Sequence, residues 1–398
     1  MNMAIATNSN PNQNAKKTTT TSHTPWNLLF TALTVVGAIC WGLQLCQGLQ
    51  LTNLGVNNMW GLYIVGFMIF TGVAAGSLLF AAVPYLFRLD DFKPYTRIAA
   101  YLGAVSSIVA ASLFIVVDIG NPERAWLFIT NGNLTSPMFW DFLMLASYMV
   151  ISIIFTRQLM LVSEGKKDEG SLKPIAVIAF IAGLLVTVTS FVFCFQIARP
   201  MWNNPVQPVS FLIAALVAAL SVQMILAAIL NKRGYIKMPV TLMAKMAKAA
   251  AVLLCIELII VVGESLIGLY PGGGEEYEAF LWLASGEGAI GFWAEMVALV
   301  AAIVLLAKQG PSSKAGGVVA GAVLGLVAIY LIKSNLLQAE LFNPLLTYAG
   351  PPIYGGTSGP YVPSLVEIGL SLGIISLGAL LLNLGLSKLN LGRNSQGK

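Results

Sequence analysis

The sequence predicts an all-α integral membrane protein with about ten transmembrane helices. Of its 398 residues, 57% are hydrophobic and 10% are charged, and the mean hydropathy is +0.80. A soluble domain carries about 25% charged residues, so this composition is typical of a polytopic membrane protein. The apolar runs are long and lack the strict alternation of barrel strands, which favours helices over a β-barrel.

A membrane-spanning helix needs about 20 mostly apolar residues. Ten runs of this kind follow one another, at about 26–50, 60–87, 97–117, 137–162, 174–196, 208–230, 240–269, 286–307, 315–333 and 363–386. They divide the chain into a polar, disordered N-terminal tail at 1–25, a polytopic membrane domain at 26–387 and a C-terminal tail at 388–398. The N-terminal tail shows no apolar stretch with a small-residue cleavage site, so we expect no cleaved signal peptide.

The basic residues predict the orientation of these ten spans. All but three of the 22 lysines and arginines lie in the N-terminal tail, the even-numbered connections and the C-terminal tail. The positive-inside rule therefore predicts that both termini are cytoplasmic, in a bacterial or archaeal inner membrane. The net charge of +5 follows from this excess and does not indicate nucleic-acid binding. The longest connections, 268–285 and 333–363, lie on the opposite face and predict a docking surface for another subunit.

The histidine and cysteine content argues against a metal centre in this chain. The only histidine, His23, is in the polar tail, whereas a haem between membrane helices needs axial ligands that are most often histidine. The four cysteines are scattered through apolar spans without Cys-x-x-Cys spacing, and an iron–sulfur cluster needs grouped thiolates. We therefore expect neither a haem nor an iron–sulfur cluster here, and any redox metal on other subunits.

Two charged motifs at the ends of apolar spans are the first candidates for a functional site. One runs from Asp118 to Trp126 and follows span three; the other runs from Ala198 to Pro205 and follows span five. Charged side chains at a membrane edge are costly and usually functional. The predicted orientation places both motifs on the extracytoplasmic face, where aromatic residues at the start of span two also lie.

This group of residues suits a quinone headgroup, which stacks on aromatic rings and accepts hydrogen bonds at its carbonyls. Oxidation of a quinol releases protons, so we predict Asp118 as the catalytic proton acceptor. Either Arg124 or Arg199 would hold that carboxylate ionised or polarise a quinone oxygen, and we favour Arg199 as the neighbour of Asp118. The predicted quinone-binding residues are Trp60, Tyr63, Phe67, Asp118, Arg124, Arg199 and Trp202.

Three further carboxylates lie within or near the ends of spans seven and eight. Glu257 and Glu295 lie inside apolar runs, and Glu264 lies two turns beyond Glu257. A carboxylate near the bilayer centre costs at least about 2.5 kcal/mol unless it is protonated or paired. We predict a proton path through these three residues, with structural pairing between helices as the alternative.

Four stretches together resemble the NrfD/polysulfide-reductase family of membrane subunits. They are Trp60–Tyr63 leading into Gly72–Gly76, Asp118-Ile-Gly-Asn-Pro, Ala198–Pro205, and Tyr361-Val-Pro-Ser364 with Glu367. The resemblance implies a subunit that binds a quinone, menaquinone or ubiquinone, near the extracytoplasmic face, with an aspartate close to the quinone. It also implies two four-helix bundles, spans two to five and six to nine, plus two additional helices.

The same resemblance implies partner subunits. A ferredoxin-like iron–sulfur subunit would dock on the extracytoplasmic face and exchange electrons with a catalytic subunit, of molybdopterin type or a multihaem cytochrome. We predict Lys333, Tyr361 and Glu367 as docking residues. Some relatives use a pocket histidine that this chain lacks in its spans; Tyr63, Glu264 or Lys333 could substitute for it.

Two other functions remain open from the sequence. A structural membrane anchor would bind the partner without a quinone site, and the outer carboxylate, arginine and aromatic residues argue against it. A proton-coupled secondary transporter would use the same buried carboxylates, but it would carry broken helices at corresponding positions of two halves. Spans seven and eight contain no midspan proline, which disfavours the transporter.

Overall fold

The structure is a computed structural model that describes residues 24–55, 58–341, 361–389 and 391–392, without the side chains of residue 24 and residues 109–111. Within these residues all regular secondary structure is helical. The α-helices are α1 (Thr24–Gln47), α2 (Leu62–Leu86), α3 (Thr96–Val105), α4 (Leu113–Asp118), α5 (Leu127–Thr130), α6 (Pro137–Ser163), α7 (Lys173–Leu184), α8 (Thr187–Cys194), α9 (Gln207–Lys232), α10 (Val240–Leu269), α11 (Glu275–Ser285), α12 (Ala289–Ala307), α13 (Ala315–Leu341) and α14 (Leu365–Lys388).

Ten helical segments in the described chain are long and apolar enough to cross a membrane, which confirms the predicted all-α fold and number of spans. Two of them are composite. Span three joins a 3-10 turn (Asp90–Tyr95), α3, a π-helical segment (Ser106–Ser112) and α4, and span five joins a 3-10 turn (Glu169–Leu172), α7 and α8. The orientation of the termini stays a prediction, and the terminal tails at 1–23 and 393–398 lie outside the described residues.

One predicted boundary on the side opposite the basic connections is wrong. Span nine does not end at Lys333, because α13 continues to Leu341. The extension is rich in Leu, Gln, Ala and Glu, which are strong helix formers, and contains neither Gly nor Pro. The predicted connection at 268–285 contains α11. Residues 342–360 of the other predicted long connection lie outside the described chain.

Helix α2 lies at the centre of the fold and packs against α3, α7 and α9. Its contact with α9 is close because Gly72 and Gly76 face Ala215: a Cβ at position 72 would lie 3.1 Å from the Ala215 Cα, and one at position 76 would meet the Ala215 carbonyl. Small residues commonly permit such approaches between membrane helices. This Gly-x-x-x-Gly pattern is therefore a packing feature between α2 and α9.

The remaining contacts form two groups. Helices α3, α6, α7 and α8 lie on one side of α2, whereas α10, α12 and α13 lie on the far side of α9. The first and last spans, α1 and α14, pack against each other. The two-bundle description itself stays an implication of the family resemblance.

Candidate functional site

A cavity of about 300 Å³ lies between α2, α4, α6 and α8. Trp60, Phe67 and Asp118, three of the predicted quinone-binding residues, line it together with mostly apolar side chains. Two other lining residues, Met138 and Phe142, are 46% and 37% exposed. Because these two residues belong to α6, one of the ten apolar spans, the cavity opens at the surface of the helix bundle.

One wall of the cavity is a cluster of three aromatic rings. Trp60 and Phe193 line the cavity, with ring centroids 5.7 Å apart and planes at 73°. Trp202 stacks on Trp60 at 5.5 Å and 18°, and its Nε1 donates to the Leu336 carbonyl at 2.7 Å. Trp202 therefore lies behind Trp60 and supports the wall; it does not line the cavity, contrary to its predicted contact with the quinone.

Asp118 ends α4 at the cavity wall. Its Oδ1 atom is buried and has no hydrogen-bond partner among the described residues. The preceding carbonyl, of Val117, accepts from Gln44 Nε2 at 2.7 Å, and Gln44 Oε1 accepts from the Tyr63 hydroxyl at 2.8 Å. Two interhelical hydrogen bonds thus fix the end of α4. The fully buried Tyr63 lies in this support and does not line the cavity, contrary to its predicted contact with the quinone.

The predicted pairing of Asp118 with Arg199 is wrong. The Arg199 guanidinium donates to the Glu340 carbonyl and lies 5.9 Å from the Trp202 ring centroid. The carboxylate that interacts electrostatically with Asp118 is Glu367. Arg199 turns towards Glu340 because α13 continues beyond its predicted end, which brings Glu340 next to the Ala198–Pro205 motif. Burial lowers the pKa of the Arg199 guanidinium, although arginine stays charged in proteins.

The predicted role of Arg124 in quinone binding is also not supported. Arg124 ends a short 3-10 turn, Pro122–Arg124, and its side chain is exposed. Its chain neighbour Ala125 lines the cavity, but Arg124 does not. The residue lies beside the mouth of the cavity.

The structure adds a second carboxylate, Asp141, which the sequence reasoning missed. Asp141 lies on α6, is 8% exposed and lines the same cavity as Asp118. Its Oδ1 accepts a hydrogen bond from the Thr189 hydroxyl at 2.6 Å. The signal was present, because an acid inside an apolar span is costly wherever it occurs. Two carboxylates therefore face one apolar cavity.

A second polar cluster surrounds Lys333 in the half of the protein built from α9 to α13. Lys333 is 2% exposed, and its Nζ donates to Ser210 Oγ at 3.1 Å and lies 3.9 Å from the Phe211 ring centroid. The same Ser210 hydroxyl donates to Glu257 Oε1 at 2.6 Å. Ser210 thus joins a buried amine to a fully buried carboxylate.

The other two predicted proton-path residues are close to this cluster. Glu264 accepts from Asn204 Nδ2 at 2.9 Å and Gln207 Nε2 at 3.3 Å, and Glu295 accepts from Asn335 Nδ2 at 2.6 Å. Together with Ser210, Glu264 and Glu295 line a cavity of about 30 Å³. This is large enough for one water molecule with several polar partners. Two of the three predicted carboxylates therefore line one small cavity, and the third, Glu257, is hydrogen-bonded to Ser210 in its wall.

A small, mostly apolar cavity lies between the two polar regions. It measures about 10 Å³, and Thr189, the partner of Asp141, and Lys333 are among its lining residues. It lies between α2, α8, α9 and α13, where the two helix groups meet. One side chain from each polar region therefore faces this cavity.

Two of the predicted docking residues are interior residues. Lys333 and Glu367 are 2% and 0% exposed, which is incompatible with direct contact to a partner subunit. Glu367 accepts a hydrogen bond from Tyr361, which is partly buried. The assignment failed for Lys333 because the helix end was placed at that residue. It failed for Glu367 because Asn53 and Tyr361 cover its carboxylate.

Comparisons with known proteins add to this geometry. The family described as "Polysulphide reductase, NrfD" matches residues 50–342. The chain belongs to the NrfD family. As an NrfD-family protein it is a multi-pass integral membrane protein, and the predicted resemblance is confirmed.

Three curated relatives of this NrfD-family chain are named as subunits of reductases or oxidoreductases. The putative dimethyl sulfoxide reductase membrane subunit of Halobacterium salinarum is 26% identical, covering 92% of this chain and 91% of that protein. A selenate reductase subunit of Mesobacillus selenatarsenatis is 26% identical, covering 90% and 92%. The Hdr-like menaquinol oxidoreductase integral membrane subunit of Archaeoglobus fulgidus is 28% identical over 48% of this chain and 47% of that protein.

Proposed function

We propose that this NrfD-family chain is the quinone-reactive membrane subunit of a respiratory oxidoreductase. The observation that carries the proposal is the buried, unpartnered Oδ1 of Asp118 in an aromatic-walled cavity that is open to lipid. A quinol hydroxyl would supply the hydrogen bond that this oxygen lacks among the described residues. Trp60 would stack on the ring of the headgroup, and the isoprenoid tail would leave past Met138 and Phe142.

The two carboxylates suit the proton chemistry of quinol oxidation. Conversion of a quinol to a quinone releases two protons and two electrons, and each proton needs an acceptor within hydrogen-bond reach. We assign the first proton to Asp118 and the second to Asp141, whose carboxylate is oriented by Thr189. In the reverse direction the same residues would return protons to a quinone. Neither electron needs a centre in this chain, since both pass to a partner.

The names of the relatives support the partners and the ligand of this proposal. Menaquinol appears in the name of the Archaeoglobus relative, which favours menaquinone over ubiquinone. The Halobacterium and Mesobacillus relatives are each named as one subunit of a reductase, which favours a complex with further subunits. We propose a ferredoxin-like iron–sulfur subunit docked at the end of the protein that carries Asp118, and a catalytic subunit, of molybdopterin type or a multihaem cytochrome, beyond it.

The observed helix breaks favour this function over a secondary transporter. The interrupted spans are three and five, which both belong to the first half of the chain, whereas α10 and α13 are continuous. A transporter of the inverted-repeat type would show breaks at corresponding positions of both halves. A purely structural anchor would have no need for two carboxylates on a lipid-accessible cavity, each of which carries an insertion cost.

Proton movement coupled to this reaction is supported by the Lys333 cluster. Thr189 and Lys333 share a small cavity, and Ser210 connects Lys333 to Glu257. A proton on Asp141 would therefore move past Thr189 and Lys333 towards the carboxylates of the cluster. During turnover, proteoliposomes containing the complex would show a pH change across the membrane. Glu257→Gln would lower that change per quinol oxidised, because the second proton would then leave Asp141 on the cavity side. Equal proton signals in wild type and variant would refute this route.

The quinone site itself is tested by Asp118→Asn in the purified complex. Because a positioned general base contributes about 100- to 10,000-fold, kcat/KM for quinol would fall by at least about 100-fold with assembly intact. Asp168→Asn, which changes an exposed carboxylate in a connection, is the matched control and would leave kcat/KM unchanged. Normal quinol kinetics in Asp118→Asn would remove the basis of the assignment.

A further inference from the structure

The first turn of α14 makes an unusual set of contacts with the segment that precedes α2. The Glu367 carboxylate is fully buried. It accepts hydrogen bonds from the Tyr361 hydroxyl, from Ser364 N at 2.8 Å and from Asn53 N at 3.0 Å. Ser364 and Glu367 also form a capping box, since Ser364 Oγ accepts from Glu367 N at 3.2 Å. One carboxylate thus holds the segments around positions 53, 361 and 364.

Tyr361 extends this arrangement to the start of α2. Its hydroxyl oxygen accepts a hydrogen bond from Leu62 N at 2.9 Å while its proton goes to Glu367. The Tyr361 ring occupies the space beside Gly61, so that a Cβ at position 61 would overlap with the ring. Leu62 is the first residue of α2, and its amide has no acceptor within the helix, as is general for helix N-termini. Tyr361 supplies that acceptor.

These contacts fix the backbone at the Trp60 carbonyl and just after it. Residues 61 and 62 are held by Tyr361, and the Trp60 carbonyl accepts from Gln338 Nε2 at 3.4 Å. The Trp60 ring is in turn stacked on Trp202. Trp60 lines the large cavity, whereas Tyr361 and Glu367 do not. Tyr361 and Glu367 therefore act on the cavity through Trp60.

The Tyr361 hydroxyl keeps its proton at physiological pH. Burial raises the pKa of Tyr361 above its usual value near 10, and the hydrogen bond to Glu367 raises it further. The neutral phenol is therefore a permanent donor to Glu367 and a permanent acceptor for Leu62 N. Such a link persists throughout a catalytic cycle in which nearby groups gain and lose protons.

We propose that Tyr361 and Glu367 form a clamp that positions Trp60 as the stacking wall of the quinone site. This inference rests on the proposed function, because it assumes that the headgroup binds against Trp60. It makes the partly buried Tyr361 of the Tyr-Val-Pro-Ser motif and the buried Glu367 that follows it positioning residues. Trp60 itself remains the residue that touches the quinone ring.

The test is Tyr361→Phe in the full-length chain within its purified complex. The variant keeps the ring beside Gly61 and loses the hydroxyl. Looser positioning of a binding wall removes interactions that are shared by the ground state and the transition state, so KM for quinol would rise while kcat changes little. The expected rise in KM is about 2- to 10-fold, the effect of losing one hydrogen bond. Amide exchange in a peptide that covers Leu62 would also accelerate, because that amide loses its acceptor.

The matched control is Tyr101→Phe. Tyr101 also donates one hydrogen bond to α14, to the Leu381 carbonyl at 3.0 Å, far along the helix from Glu367. This control would leave KM and the exchange of Leu62 unchanged. Equal effects in the two variants would show that a general loosening of α14 is responsible and would overturn the clamp.

Trp60→Ala separates failure of the clamp from failure of the proposed function. If Trp60→Ala raises KM and Tyr361→Phe leaves both KM and Leu62 exchange unchanged, the clamp is refuted and the quinone site stands. If Trp60→Ala leaves KM unchanged, the quinone does not bind against this wall, and the role proposed for Tyr361 and Glu367 fails with it.

Discussion

The buried Lys333 cluster provides a quantitative prediction, through the substitutions Lys333→Met and Glu257→Gln. Lys333 is 2% exposed and is connected to the fully buried Glu257 by Ser210. Removal of one partner from a buried charged pair costs about 3–5 kcal/mol, because the other charge stays buried without compensation. We therefore expect Lys333→Met to lower the free energy of unfolding by that amount.

The double variant tests whether Lys333 and Glu257 stabilise each other. When Lys333 and Glu257 are changed together, neither of the two leaves the other buried without its partner, so the double variant would be more stable than the sum of the single effects implies. Residues that share one hydrogen-bond network show interaction energies of about 0.5–3 kcal/mol. We expect a value in the upper half of that range for Lys333 and Glu257.

The assay is denaturant-induced or thermal unfolding of the purified protein in one detergent, with helix content as the measured signal. Lys248→Met is the matched control, since Lys248 is an exposed lysine on α10, and substitutions at such sites usually stay within about 0.5 kcal/mol. Additive effects of Lys333→Met and Glu257→Gln would refute the coupling. A Lys333→Met variant as stable as the Lys248→Met control would refute the cost assigned to the buried pair.

Three further outcomes follow from the site and its support. Asp141→Asn would lower quinol turnover by about 100-fold or more, because it removes a proton acceptor. Thr189→Val would have a smaller effect, because Thr189 only orients Asp141. Steady-state kinetics measures both variants, and equal effects would contradict the assignment. Trp60→Phe would retain more quinol affinity than Trp60→Ala because a ring remains for stacking, and equal KM values would exclude stacking. Gly76→Val would place a side chain against the Ala215 carbonyl and prevent assembly of α2 with α9, whereas Gly316→Val, at a position with open space, would be tolerated in expression and thermal stability.

The sequence was sufficient to predict the spans and part of the site. Spans follow from the length and apolarity of single segments, which need no knowledge of neighbours. Trp60, Phe67 and Asp118 were predicted together and do line one cavity, because each lies towards an end of a span on the same predicted face. Asp141 was accessible to the same reasoning, as an acid within span four, and was overlooked.

The errors concern partners that only packing determines. Arg199 binds the Glu340 carbonyl, and Glu340 was assigned to a loop because span nine was ended at the first charged residue, Lys333. In the structure Lys333 lies within α13, because Ser210 and Phe211 of α9 contact its charged amine. Glu367 was assigned to a surface because it lies near a span end, yet residues from positions 53 and 361 cover it. The position of a residue in the sequence predicts how deep it lies along its own helix. Whether its side chain is buried depends on the neighbouring segments.

The most direct test of the proposed quinone site is a structure of the purified complex with a bound quinol analogue. The headgroup is expected between Trp60 and Phe142, with one oxygen at hydrogen-bond distance, about 2.6–3.2 Å, from Asp118 Oδ1. Asp118→Asn would weaken this binding without displacing the tail from the lipid-facing opening. A headgroup found elsewhere, such as in the cavity formed by α3, α6 and α14 beside Arg157, with the Asp118 cavity empty, would contradict the account.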